Sequence, residues 1–167
     1  MHFLSFLWYF RTLFTFCLYS NMREGVFFYF DNISKIRVME EKQTILVVED
    51  NDFVRMQVVH FLNGEGYGTA ESKDGQEALD MVSGNTDNFD LAIVDVRMEP
   101  VGGFEFVRKI RGDENSMPVI LVTGDDDPNL LSEATKHGVG AVLRKPVQKE
   151  RLIKTVFRTL AVENRKR

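Results

Sequence analysis

The chain has 167 residues, 44% of them hydrophobic and 28% charged, with a formal net charge of −4. That is enough for one domain with its own core and some residues to spare, and the acidic balance argues against a nucleic-acid binder. A single cysteine, Cys17, excludes an intrachain disulfide, and no Cys and His residues fall at zinc-ligand spacing, so any metal must be held by oxygen.

The first 38 residues differ in composition from the rest. Twelve of the 19 aromatic residues lie between Phe3 and Phe30. Setting aside Arg11, Arg23, Lys35, Arg37, Glu24 and Asp31, residues 39–167 keep 17 basic and 23 acidic groups. The expected division is therefore an aromatic-rich extension, 1–38, and a globular domain, 39–167. Residues 3–19 are nearly long enough for a membrane anchor, but Arg11 at mid-span would cost about 2.5 to 3.5 kcal/mol. A signal peptide would carry a basic start, which is missing here. The preferred expectation is a misplaced start, with translation beginning at Met39; an anchor and an unstructured or partner-binding extension are the alternatives. A membrane partner is expected only if the extension is real, and the domain itself is expected in the cytoplasm.

From Thr44 onward, short apolar runs alternate with amphipathic stretches, the pattern of repeated βα units. The run 44–48 is apolar throughout, as in a strand buried on both faces of a parallel sheet. Asp50 and Asn51 can cap a helix whose apolar positions are Phe53, Met56, Val59, Phe61 and Leu62, with Gly64 and Gly66 ending it. A weak strand at 67–70 precedes a helix with Ala78, Leu79 and Val82 inward, ended by Gly84. A third strand at 90–94 delivers Asp95, and Gly102 and Gly103 open a helix carrying Phe104, Phe106, Val107 and Ile110. A fourth strand at 119–122 ends at Thr123. Pro128 then suits the first turn of a helix with Leu130, Leu131 and Ala134 buried, closed by His137 and Gly138. The fifth strand, 141–143, leads through Lys145 and Pro146 to a last helix containing Leu152, Ile153, Val156, Phe157 and Leu160.

Five strands alternating with five helices make a doubly wound α/β fold, with helices on both faces of a parallel sheet ordered 2-1-3-4-5. Ligands of such sheets bind at the carboxyl ends of the strands where the order reverses, which points to Glu49 and Asp50 after strand 1 and Asp95 after strand 3. Three carboxylates in one crevice either raise a pKa or recruit a hard cation, and oxygen ligands beside a phosphate favour Mg²⁺. Thr123 and Lys145, ending strands 4 and 5, bring a hydroxyl and a positive charge to the same mouth. Those are sufficient parts for phosphoryl transfer onto a carboxylate. Singly, each has an ordinary explanation: Glu49 to Asp52 as a helix-capping cluster, Thr123 as a β-branched strand end, Lys145 as a turn lysine. Their meeting at one end of four strands favours a site.

The segments Ile45-Leu-Val-Val-Glu-Asp50, Ile93-Val-Asp95-Val, Thr123-Gly124 and Lys145-Pro146 resemble the response-regulator receiver family over residues 44–162. The resemblance implies a flavodoxin-like fold and a cytoplasmic module of two-component phosphorelay signalling. Asp95 would be the phospho-acceptor, with Thr123 and Lys145 contacting the phosphoryl oxygens. Glu49, Asp50, Asp95 and the backbone carbonyl of Arg97 would hold Mg²⁺. A cis peptide before Pro146 is implied as well. The partners implied are a sensor histidine kinase or histidine phosphotransfer protein and a downstream protein target, and the chain would be a phospho-acceptor rather than an enzyme.

Three departures stand out. Val142 occupies a position where the family usually has an aromatic residue. Arg97 and Asp125, opposite in charge, are expected to pair across the pocket. The proline of the acceptor loop, Pro100, comes one residue late, so that loop is expected to take its own path. Only 22 residues follow Lys145, so output is expected through protein contact or onward phosphoryl transfer. A phosphorylation-independent docking module and an aspartyl-phosphate phosphatase are the rivals. The second typically needs an acid two residues after its nucleophile, where this chain has Arg97.

Overall fold

In the computed structural model the described residues are 42–84 and 89–165. The expectations for residues 1–38 lie outside them. Five strands, β1 (Thr44–Val48), β2 (Gly68–Ser72), β3 (Leu91–Asp95), β4 (Val119–Thr123) and β5 (Ala141–Arg144), alternate with five helices. These are α1 (Asp52–Gly64), α2 (Gly75–Ser83), α3 (Gly103–Gly112), α4 (Leu130–Lys136) and α5 (Lys149–Asn164). The sheet is parallel throughout and ordered β2-β1-β3-β4-β5, as the sequence predicts.

Although β1, β3 and β4 are apolar at nearly every position, they sort their side chains by the twofold period of a strand. Ile45, Val47, Leu91, Ile93, Ile120 and Val122 pack on one face with Val58 and Leu62 of α1 and Leu152, Val156 and Leu160 of α5. Leu46, Val48, Ala92, Val94, Val119 and Leu121 face the other way, onto Ala78 and Leu79 of α2 and Phe106, Val107 and Ile110 of α3. Just beyond α4, His137 tilts against Phe104 of α3 at a ring distance of 6.1 Å.

Side chains cap two of the five helix starts, Asn51 rather than Asp50 at α1 and Asp74 at α2. Asn51 accepts from the Val54 N–H and Asp74 from the Glu77 N–H, satisfying donors that the first turns of α1 and α2 leave open. Gly66 and Gly138 take the left-handed conformation just beyond α1 and α4.

Four local expectations change. Phe53 and Met56 point outward, 76% and 66% exposed, because Val58 and Leu62 supply the inner stripe of α1. Leu131 is likewise exposed, leaving Leu130 and Ala134 to seat α4. Pro128 precedes the first turn of α4, whose N-cap is Asn129. Strand β2 also runs two residues beyond the predicted stretch, to Ser72.

Candidate functional site

Pairing of β1 with β3 sets Val48 opposite Val94, so the residues that follow emerge side by side at the carboxyl edge. Glu49 and Asp95 are buried and Asp50 is exposed. One carboxylate oxygen from each of the three lies within 4.8 Å of the others. The next strands add the other two predicted groups. Thr123, buried, ends β4, and Lys145 follows β5 with its backbone N–H bonded to the Thr123 carbonyl at 2.7 Å.

Lys145 Nζ sits between two of the acids, 2.9 Å from Asp95 Oδ2 and 2.8 Å from Glu49 Oε2. Burial pushes the Glu49 carboxyl above its ordinary value, the bond from Lys145 opposes this, and the charge of Asp95 adds to it. Burial disfavours the ammonium of Lys145, but its bonds to Glu49 and Asp95 prevail and hold its pKa above the usual lysine value. The lysine thus compensates a cluster with an excess of negative charge. Three oxygen donors of that sign suit a hard divalent cation such as Mg²⁺.

Around this centre the loops are tightly constrained. A Cβ on Gly103 would come within 2.5 Å of the Asp95 carbonyl oxygen and 3.0 Å of Leu121 Cδ2, so only glycine lets α3 start so close to Asp95. Gly75 meets Val101 in the same way, its Cβ position 2.2 Å from the Val101 carbonyl oxygen. That contact ties α2 to the loop between β3 and α3. Both Glu99–Pro100 and Lys145–Pro146 are cis peptides; the second matches the expectation for Pro146. Thr123 Oγ1 accepts the Asp125 N–H at 2.9 Å.

Arg97 lies in the bend after β3, its side chain 75% exposed, and forms the expected ion pair with Asp125. A second pair, Arg144 with Asp126, anchors the next residue of the same loop. Sequence reasoning missed Arg55, whose Nη1 donates to the Glu49 carbonyl at 2.8 Å. An arginine within an amphipathic helix reads as a solvated charge; its one local signal is Asp52 three residues earlier.

The structure therefore brings together Glu49, Asp50, Asp95, Thr123 and Lys145, and places Arg97 at their rim. Val142 is partly buried and packs at the margin of the α2–α3 side of the core.

Comparison with known proteins places this arrangement among relatives. The family model described as "Response regulator receiver domain" matches residues 45–157. The chain is 31% identical over 128 residues to the CAI-1 autoinducer sensor kinase/phosphatase CqsS of Vibrio cholerae, covering 75% of this chain and 18% of that protein. It is 31% identical over 114 residues to the transcriptional regulatory protein FixJ of Bradyrhizobium diazoefficiens, covering 68% and 55%. In both cases the match spans less than two thirds of the relative. Among solved structures, the Vibrio cholerae chemotaxis protein CheY4 superposes with a TM-score of 0.66 and 32% identity, over 71% of this chain and 98% of that one.

Proposed function

Since the chain belongs to the response regulator receiver family of two-component systems, we propose that it accepts a phosphoryl group from a phosphohistidine onto Asp95. The observation that carries this reading is the junction of Lys145 with a buried Asp95 inside a cluster of three carboxylates. In the proposed step an Asp95 carboxylate oxygen attacks phosphorus, the phosphorus–nitrogen bond breaks, and the imidazole departs with that electron pair. No general base is needed for a carboxylate to attack.

Each residue then has a part that its position supports. Lys145 offers its ammonium to the phosphoryl oxygens. Thr123 accepts from Asp125 and keeps its own hydroxyl proton to donate. Glu49, Asp50, Asp95 and the Arg97 carbonyl would hold Mg²⁺, which supplies charge neutralisation at the transferring group. Glu49 and Asp95 are shielded from bulk water, so charges placed there act at short range in a low dielectric.

The proposed partners are a sensor histidine kinase or histidine phosphotransfer protein and a downstream protein target. Phe53 and Met56, exposed on α1 directly after the acidic turn, support docking of a protein surface at this mouth. We place the domain in the cytoplasm, where such donors carry their phosphohistidine. The docking-module reading draws support from Val142, which leaves no aromatic ring at that point of β5.

Intact-mass analysis of the full chain with acetyl phosphate and Mg²⁺ tests the proposal. A gain of about 80 Da, abolished by Asp95→Asn and by EDTA, is expected. A folded protein that binds Mg²⁺ yet gains no mass from acetyl phosphate or from a phosphohistidine donor would favour docking without phosphorylation.

A further inference from the structure

Arg55, in the first turn of α1, reaches back beneath the end of β1. Its guanidinium makes three contacts in three different segments: Nη1 to the Glu49 carbonyl at 2.8 Å, Nη2 to Asp52 Oδ1 at 2.5 Å, and Nε to Glu71 Oε2 of β2 at 3.3 Å. The side chain is only 15% exposed, although its two acidic partners are 82% and 46% exposed. The carbonyl it holds belongs to the peptide that joins Glu49 to Asp50. That unit is planar, so anchoring its oxygen restricts the torsions on either side and the directions in which both acidic side chains leave the backbone.

We propose that Arg55 is a positioning residue for the cation site, acting through the Glu49–Asp50 peptide rather than by touching the ion. The inference rests on the reading of the acidic pocket as a Mg²⁺ site. Charge and geometry predict opposite outcomes here. If Arg55 acted only as a nearby positive charge, removing it would tighten cation binding. If it orients the two ligands, removing it weakens binding. Asp52 and Glu71 neutralise much of its charge in place, which leaves the orienting effect to dominate. Only a planar fork of donors serves all three acceptors at once; the ammonium of a lysine reaches the carbonyl but not the whole set.

The test is calorimetric titration of Mg²⁺ into the full chain, with the melting temperature measured in parallel. Arg55→Ala is expected to lose affinity by about tenfold, as changes to outer residues of metal sites do. Arg55→Lys should recover part of the loss. Glu71→Gln, which leaves the carbonyl bond intact, should stay within about twofold of wild type. Unchanged or tighter binding by Arg55→Ala would overturn the inference, and so would a lowered melting temperature at unchanged affinity, since that is support of the fold alone. Should Arg55→Ala fail to fold, Arg55→Gln replaces it and is read the same way. The wild type and Asp95→Asn separate the two levels: a wild type that binds no Mg²⁺ removes the pocket reading and the inference with it, whereas normal wild-type binding beside indifferent Arg55 variants removes the inference only.

Discussion

At the scale of residues, the pocket is a problem of excess negative charge with one internal remedy. Lys145 bonds both buried acids, so Lys145→Met strands two carboxylates in a low dielectric. Loss of about 3 kcal/mol of stability is expected without Mg²⁺, the lower end for breaking a buried pair because the lysine is partly exposed. Denaturant melts in EDTA and in Mg²⁺ would show the loss and its partial recovery. The pH dependence follows from the raised values. For Glu49, the folded protein holds its proton more tightly than the unfolded chain, so stability present in acid declines as pH rises past the ordinary 4.5. For Lys145, also raised, the contribution persists through neutrality and disappears only as pH climbs above the ordinary 10.5. Thermal melts of the metal-free protein from acid toward neutral pH should therefore slope downward through this group, and Glu49→Gln should flatten that part of the slope.

At the scale of elements, the glycines that admit close approach are the sensitive points. Gly103→Ala would press a methyl group onto the Asp95 carbonyl, and α3 or β3 must shift. A cost of about 1 to 3 kcal/mol is expected, together with slower phosphorylation measured by the same mass gain. The strands were legible because β1, β3 and β4 are apolar at four of five positions between turn signals, and a run of that kind has few other uses. Helix faces were less legible. Phe53, Met56 and Leu131 satisfy helical spacing as well as the true inner residues do, and periodicity does not say which of two apolar stripes meets the sheet. The five pocket residues could be found because strand ends and turn order place them without any side-chain detail. Arg55 could not, since its role depends on a bond to a backbone oxygen six residues away.

At the scale of the whole molecule, cation binding and folding are linked. A ligand that binds only the folded form adds about 2.7 kcal/mol at a hundredfold excess over its dissociation constant. Mg²⁺ should therefore raise the melting temperature of the wild type and lose that effect in Asp50→Asn, where a proposed ligand is gone but the Lys145 pair with Asp95 remains. The two-sided core sets the background for such shifts. Phe106 is fully buried between α3 and the sheet, and Phe106→Ala is expected to cost about 3 to 5 kcal/mol in denaturant melts whether or not Mg²⁺ is present. A variant of the pocket is thus distinguishable from a variant of the core by its response to the ion.

The loop after β4 carries three consecutive aspartates, and two of them are tied down by arginines from the ends of different strands, Arg97 beyond β3 and Arg144 at the end of β5. Where a packed aromatic ring would hold its neighbours regardless of the surrounding solution, exposed ion pairs weaken as the solution becomes more saline, because charges are screened over about 8 Å at physiological ionic strength. Each pair is worth at most about 1 kcal/mol, so removing Arg97 and Asp125 together should speed loss of the phosphoryl group by no more than about fivefold, and added salt should mimic much of that change in the wild type. The lifetime of the proposed phosphoryl group would then depend on the ionic strength around the domain, through these two ion pairs.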